Sequence, residues 1–316
     1  MARNGLEAAR RLIRLPAAIG ALPALQNWRP DNIRLPGAKL SKRERFSAAT
    51  GTLGRIGALE VRLAESPAEV KDAQRLRYRV FYQEMSAIAD ARTLVSGRDR
   101  DVFDKFCDHL LVIDHDRIAP NGRPMIVGTY RLLRQSVADR FGGFYTAAEF
   151  DIAPLIERHP GLNFLELGRS CVLAPYRTKR TVELLWHGIW AYVRAHGIDV
   201  MIGCASLEGT DPSRLALPLS FLHHHARAPE DWRVSAIAGR KVVMNRMAPE
   251  AMDGKAALHA LPPLIKGYLR LGAYIGEGAV VDHQFGTTDV LVVLPVSAIN
   301  ARYVNHYGAE ATRYAA

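Results

Sequence analysis

A carboxylate and a guanidinium stand three residues apart in the run Asn163-Phe164-Leu165-Glu166-Leu167-Gly168-Arg169-Ser170-Cys171-Val172. The run reads as a buried strand, and charges in such a strand are costly unless they are paired or put to use. In a flat strand residues three apart face opposite sides. A bulge at Gly168 is therefore expected to turn Glu166 and Arg169 toward one site. Taken alone, the run fits a structural ion pair and a proton-transferring carboxylate equally well. Soon after it come Tyr176-Arg177-Thr178-Lys179-Arg180-Thr181 and then apolar residues at helical spacing (Val182, Leu185, Trp186, Ile189, Trp190, Val193), ending at His196-Gly197. A strand that feeds a basic turn and a helix N-terminus presents free N–H groups and a positive dipole end to an anion. A solvated basic turn is the bland alternative. The charged strand next to it favours a phosphate cradle of Arg177, Thr178, Lys179, Arg180 and Thr181.

The elements that must position these groups follow from periodicity. Residues 58–64 alternate as a strand. Ser66-Pro67-Ala68-Glu69 opens a helix, with a serine cap, proline at the first position and glutamate at the third, that is expected to run to about residue 84. Residues 85–104 read as a charged loop, 109–114 and 126–133 as strands, and 136–160 as irregular chain with short helical pieces. After the strand at 163–173 and the helix at 181–196 come a strand at 200–205 and a helix near 212–223. Weaker strands are expected near 233–238 and 241–244, a helix at 264–274, an apolar strand at 289–294 and a terminal helix. Hairpins in the middle and crossovers at the end predict an α/β or α+β sandwich around one mixed sheet. The expected organisation is a basic arm at 1–55, a core at 56–250 and a C-terminal extension at 251–316.

The chain has 316 residues and a formal net charge of +10. Ten Lys/Arg against three Asp/Glu place +7 of that charge in the first fifty residues. Anionic partners are implied: lipid headgroups, an acidic carrier protein or nucleic acid. Nucleic acid is the weakest of these, because no zinc-finger spacing, stacking motif or reader helix is present. On a helix, Glu7, Arg10, Arg11 and Arg14 fall on one side of residues 6–15, and Leu6, Ala8, Ala9, Leu12, Ile13 and Leu15 on the other. This pattern suggests a foot on an anionic membrane surface. No run approaches the ~20 apolar residues of a membrane span. Pro16 and Pro23 break the apolar stretch that would otherwise read as a secretory signal. The three cysteines match no zinc or CxxC spacing, so no metal is expected, and a reduced cytoplasmic setting at the inner face of the cell membrane fits.

Several spacings line up as a set. Arg77 and Phe81 share a helix face, Asp101 and Asp104 share a loop, Arg131 lies in Gly128-Thr129-Tyr130-Arg131-Leu132, and Glu166 and Arg169 follow on the next long strand. Over about residues 75–205 this set resembles the acyl-homoserine lactone synthases, a branch of the GNAT acyltransferase fold. A resemblance over nearly the whole ordered chain is to the ornithine N-acyltransferases that make lyso-ornithine lipid. It is carried by Glu166-Leu167-Gly168-Arg169-Ser170-Cys171-Val172, Tyr176-Arg177-Thr178-Lys179-Arg180-Thr181, Ile202-Gly203-Cys204-Ala205-Ser206, the tail Leu261-Pro262-Pro263-Leu264-Ile265-Lys266-Gly267-Tyr268-Leu269-Arg270, and residues 282–296. It implies a GNAT-like mixed sheet and transfer of a 3-hydroxyacyl chain from acyl carrier protein to the α-amine of L-ornithine. No cofactor is implied beyond the phosphopantetheine that carries the donor. Acetyl-CoA-dependent GNAT enzymes have a glycine-rich phosphate turn where this chain has Arg177-Thr178-Lys179-Arg180-Thr181, which argues against CoA as donor. A lactone synthase, and a non-catalytic carrier- or lipid-binding protein on the same fold, are the alternatives.

Amide formation from a thioester needs a neutral amine, a positioned carbonyl and a stabilised oxyanion. Under the resemblance Glu166 is the candidate base, or else an ammonium anchor. Backbone N–H groups near Cys171 and Val172 are the candidate oxyanion donors. Asp101 and Asp104 are candidates for ornithine's side-chain ammonium, with loop capping as the alternative, and Arg131 or Arg169 for its carboxylate, with an ion pair to Glu166 or Asp104 as the alternative for Arg131. Three other signals are declined. His109 and Asp114 match an HxxxxD pattern, but five-residue spacing on a strand sends them to opposite faces. His223-His224-His225 diverge around a helix end and make a poor metal site. Cys171 has no activating neighbour in sequence.

Overall fold

A computed structural model describes residues 51–85 and 87–299. The basic amphipathic pattern at 6–15, most of the arm expected at 1–55 and the terminal helix lie outside the described residues. Nine strands form one mixed sheet in the order β1-β2-β3-β4-β5-β6-β9-β8-β7. They are β1 (Thr52–Ile56), β2 (Leu59–Leu63), β3 (Asp108–Ile118), β4 (Pro124–Arg134), β5 (Phe164–Val172), β6 (Val200–Glu208), β7 (Lys241–Val242), β8 (Tyr274–Asp282) and β9 (Thr287–Pro295). Only the β5–β6 pair is parallel. The helices are α1 (Pro67–Tyr78), α2 (Ala91–Ser96), α3 (Gln135–Ala138), α4 (Ala153–Arg158), α5 (Lys179–Ala195), α6 (Ala216–His225), α7 (Gly254–Ala260) and α8 (Pro263–Leu271). The mixed sheet flanked by helices is the architecture the element order implies.

Local chemistry sets the two helices that matter most to the site. Ser66 caps α1 by accepting the Glu69 N–H, and Pro67 opens it. The helix continues beyond Tyr78 as a π-helical turn, Arg79–Glu84, close to the expected end. Ala73 and Val70 of α1 pack on Leu111 and Ile113 of β3. Helix α5 lies near Val61 and Leu110, whose side chains point the other way, so the two helices cover opposite faces of the sheet. Gly188 permits the close approach of α5, because a Cβ there would meet Val61 Cγ2 at 2.6 Å. Thr178 caps α5, and its hydroxyl accepts the Thr181 N–H.

Several elements depart from the periodicity reading. Residues 52–56 form β1 where a linker is expected, held by β2 and by a hydrogen bond between His187 Nε2 of α5 and Leu53 O. Around 233–238 there is no strand, only isolated bridges such as Ser235–Glu277 and Phe150–Ala236. Helix α8 stops at Gly272, whose φ of 96° is left-handed, and the chain becomes β8, a strand diluted by Gly276 and Gly278 that periodicity does not flag. The segment expected as a C-terminal extension supplies β8 and β9 to the same sheet. Strand β9 pairs with β6 along its whole length and is buried on both faces.

Candidate active site

Six charged side chains form a closed network between α1, the loop before β3, β4 and β5. Arg77 grips Asp104 with two hydrogen bonds of 2.8 Å, and its Nε lies 2.8 Å from Asp99 Oδ2. Arg131 Nη1 donates to both oxygens of Asp101, at 2.6 and 2.7 Å, and reaches Asp104 at 3.4 Å. Arg169 completes the ring, 3.3 Å from Asp99 and 3.3 Å from Asp101. Three cations thus meet three anions out of water. Burial works against ionising Asp104, yet Arg77 and then Arg131 hold its carboxyl well below the usual range. Burial also opposes the charge on Arg77 and Arg131, and the aspartates more than restore it. Asp101 has a second duty: it accepts the N–H groups of Phe103 and Asp104, and Asp104 accepts its N–H in return, a capping box on the 3-10 helix Val102–Lys105. The aspartates are therefore committed to protein partners, and Arg131 is enclosed by them.

Arg169 is the most exposed member, at 12% for its side chain, and the most strained. Arg169 and Ser170 of β5 stand against the single residue Tyr130 of β4, so a bulge is present. The left-handed residue is Arg169 itself, with φ of 50°, not Gly168, which pairs with Arg131 in the ladder. The expected bulge is thus placed one residue later. An arginine in this conformation carries about 1–2 kcal/mol of strain. Asp99 and Asp101 hold it there, and its guanidinium lies over the rings of Tyr145 and Phe285, at 4.8 and 4.7 Å. Phe81 meets the same Phe285 ring edge-on at 5.7 Å.

Glu166 reaches this place from the other side. Its carboxylate accepts the Tyr145 N–H at 3.0 Å, the Thr146 N–H at 2.6 Å and the Thr146 hydroxyl. Burial raises its pKa, and those hydrogen bonds and Arg131 only partly offset the rise. Glu166 and Arg169 thus converge on Tyr145, at the start of the 3-10 helix Tyr145–Ala148. Glu166 is also the last β5 residue paired with β6, opposite Ile202. Beyond that pair the two parallel strands separate. A Cβ on Gly203 would collide with the Leu167 carbonyl oxygen, so glycine is required where the split begins. Cys171 and Val172 lie in the separated half of β5. Burial pushes the Cys171 thiol up, and no base hydrogen-bonds it among the described residues, so its side chain remains a packed thiol.

A second charged group lies on the same face of the sheet. Two residues past Ile202 on β6, Cys204 Sγ donates to Glu149 at 3.4 Å. Oxygens of Glu149, Asp282 and Asp289 all lie within 4.8 Å of one another. Arg240 is 3.5 Å from Glu149, while Asp289 is held by Thr287 at 2.9 Å. Burial raises the pKa of both Glu149 and Asp289, with repulsion from Asp289 and Asp282 adding to it at Glu149 and from Asp282 at Asp289. Among the described residues the three carboxylates have one ion-paired guanidinium, and their charge and donor type would suit an ammonium or a hard metal ion. Asp282 also accepts the N–H groups of Gln284 and Phe285, which shapes the turn that sets Phe285 over Arg169.

At the far end of the split lies the basic turn. Arg177 is committed: Nε donates to Val172 O at 3.0 Å, and Nη2 to Glu84 at 2.5 Å. Lys179 and Arg180 are exposed at the first turn of α5, with Glu183 3.7 Å from Lys179. The Thr178 hydroxyl is used in the cap, and Thr181 is fully buried. Tyr176 anchors the turn through Asp114 at 2.6 Å. His109 is bound instead to Asp104 O, and burial lowers its pKa to about 4. The HxxxxD pair therefore has separate partners and forms no relay. In the histidine run, His224 contacts Asn245 and Met247 O.

A family model of the acetyltransferase (GNAT) domain matches residues 76–187, which run from the end of α1 to the middle of α5. An L-ornithine N(alpha)-acyltransferase of Rhizobium meliloti is 58% identical over 84% of this chain and 90% of its own length. The chain belongs to the L-ornithine N(alpha)-acyltransferase family. It is thus an amide-forming acyltransferase on a GNAT fold. A family member from Rhodobacter capsulatus is 42% identical over 78% of this chain and 94% of its own. Among solved structures, FeeM, an N-acyl amino acid synthase from uncultured soil microbes, aligns with a TM-score of 0.42 and 10% identity over 76% of this chain and 91% of that one. In this family member, Arg77, Asp101, Asp104, Arg131 and Arg169 converge as the resemblance implies, while Glu166 approaches Arg169 through Tyr145. Asp99, Tyr145, Glu149, Asp282, Phe285 and Asp289 escape the sequence reading. Only Asp289 leaves a signal, a carboxylate that opens the apolar run Val290-Leu291-Val292-Val293-Leu294.

Proposed function

We propose that this protein moves a 3-hydroxyacyl chain from the phosphopantetheine thioester of acyl carrier protein to the α-amine of L-ornithine, giving lyso-ornithine lipid. The observation that carries the reading is the contrast at Arg169 and Tyr145 between a neutralised Arg/Asp network and an acidic trio with a single guanidinium partner. Ornithine brings two ammonium groups and one carboxylate, and the site offers complementary groups for each. In this reading the trio Glu149, Asp282 and Asp289 holds the side-chain ammonium. Arg169, the exposed member of the network, takes the carboxylate. Asp101 and Asp104, tied to three arginines, shape the site rather than touch the substrate, and Arg131 stays with Asp101.

The thioester lies in the split between β5 and β6, with backbone N–H groups near Cys171 and Val172 facing its carbonyl oxygen. Glu166 accepts a proton from the α-ammonium, directly or through water, because burial raises its affinity for one. The amine lone pair then attacks the carbonyl carbon, the C–S bond breaks, the second proton of the nitrogen passes to the departing pantetheine thiolate, and Glu166 returns its own proton to water. No covalent enzyme intermediate is needed, and placement supplies most of the rate. Lys179 and Arg180, with the first N–H groups of α5, take the pantetheine phosphate. Arg177 closes the end of β5 through Val172 O and Glu84. No helix among the described residues is long and apolar enough to cross a membrane. The amphipathic pattern at 6–15 supports peripheral attachment to an anionic membrane surface.

The test is direct. Purified protein is incubated with 3-hydroxyacyl carrier protein or 3-hydroxyacyl-CoA and each candidate amino acid, and products are identified by mass spectrometry. The expected product is α-N-acylornithine, formed from the carrier-bound donor. Equal use of acyl-CoA would overturn the donor assignment, and acylation of the side-chain amine would overturn the placement of ornithine.

A further inference from the structure

A cavity of about 510 Å³ opens between α1 and the loop that precedes β3, lined by Lys71, Arg92, Arg98, Arg100 and Lys105 among others. Its acidic wall residues, Asp101 and Asp104, are consumed by the arginine network. The five cations make no ion pair among the described residues. Arg100 Nε is buried without a hydrogen-bond partner there, and Arg98 has only a 3.4 Å bond to Gln74. Burial and crowding by Arg100, Arg75 and Arg92 lower the pKa of Arg98, as expected of cations gathered without a counter-charge. Beside Arg92 on the short helix α2, Val95 is 91% exposed and Leu94 59% exposed. Ile88, just before α2, is 68% exposed. Its N–H donates to Gln284 O at 2.6 Å, next to the Phe285 that lies over Arg169.

We propose that this face of the folded domain, the cationic cavity with Ile88, Leu94 and Val95 beside it, docks on an anionic phospholipid bilayer. Lipid phosphates enter the cavity, and the apolar side chains enter the interfacial layer. Apolar side chains standing beside unpaired cations are the two components of interfacial binding. The cavity shares no residue with the turn Arg177–Thr181 proposed for the carrier's phosphopantetheine, which favours lipid over carrier protein as the occupant. The hydrogen bond from Ile88 to Gln284 joins this surface to the wall of the acceptor site, so an amphiphilic product leaves next to the bilayer. The proposal rests on the membrane-associated reading above but not on residues 1–16.

Vesicles of phosphatidylglycerol and phosphatidylcholine, and of phosphatidylcholine alone, test it with the full chain. Leu94→Ser/Val95→Ser alters only exposed side chains, and circular dichroism checks its fold. It is expected to weaken binding to the anionic vesicles at least tenfold, and Arg92→Glu/Arg98→Glu to weaken it further. Neither change should alter turnover of soluble donor and ornithine in the absence of vesicles. Full-affinity vesicle binding by both variants would overturn the proposal. If those variants keep vesicle binding but lose kcat/KM for the carrier-bound donor, the surface belongs to carrier protein instead. If glycerol 1-phosphate binds the cavity while vesicle binding ignores Leu94 and Val95, the site serves a soluble phosphate and the bilayer assignment fails. Charge reversal of Arg10, Arg11 and Arg14, measured in parallel, tests the N-terminal foot separately.

Discussion

The Arg/Asp network and the acidic trio are both buried and charged, and they lie on either side of Tyr145, yet their charge balance differs. In the network every aspartate faces an arginine, and the pKa of Asp104 falls while those of Arg77 and Arg131 rise, so these partners stay charged. In the trio Arg240 pairs with Glu149, and the pKa values of Glu149 and Asp289 rise so that protons are retained. A set that neutralises itself has little left for a substrate. A set that strains toward protonation without a cation gains when one arrives. The contrast teaches that proximity of charged residues in a cleft does not identify the binding groups; the charge left over does.

The largest expected effect comes from breaking the closed set. Asp104→Ala leaves Arg77 and Arg131 short of a buried partner and should cost about 3–5 kcal/mol of stability. Urea unfolding measures this, and a loss below about 1 kcal/mol would mean that the network is not a structural unit. Next comes Glu166, which lies where the two regions meet. Glu166→Gln removes proton acceptance and sets an amide NH2 against the Tyr145 or Thr146 donors. As base, Glu166 should take about two to four orders of magnitude off kcat when lost, with partial recovery at high pH and a smaller change in KM for ornithine. A variant with depressed melting temperature but near-normal kcat would make Glu166 a positioning residue for Tyr145–Ala148.

The smallest change is the most diagnostic for the open set. Glu149→Gln should raise KM for ornithine by about tenfold, with kcat less affected. Because burial and repulsion raise the pKa of Glu149 and Asp289, the ligand-free fold favours their protonated forms. That contribution to stability is present at low pH and is lost as pH rises through the raised values. Ornithine's ammonium favours the ionised forms, so binding should release protons. The release should grow as pH falls from about 8 to about 6. Calorimetry in buffers of different ionisation enthalpy measures it, and unchanged proton release in Glu149→Gln would exclude the trio as the ammonium site.

Sequence by itself determined the mixed sheet with helices, the strand that bears Glu166 and Arg169, the basic turn and the cap of α1. These depend on local rules: alternation, helical spacing and capping chemistry act over a few residues. It also placed Arg77, Asp101, Asp104, Arg131 and Arg169 in one set, through the resemblance to the acyl-homoserine lactone synthases rather than through any local rule. It did not show that these five, with Asp99, neutralise one another. Pairing depends on distances between side chains from α1, a loop and two strands, and the bulge at Arg169 is needed to close the ring. Nor did sequence join Glu149 to Asp282 and Asp289. Residue 149 lies on a short irregular segment with no periodicity. Residues 282 and 289 bound a turn more than a hundred positions away, brought near because β9 inserts beside β6. Long-range strand order has no local signature, so the tertiary structure alone decided which charges are spent within the protein and which remain for a substrate.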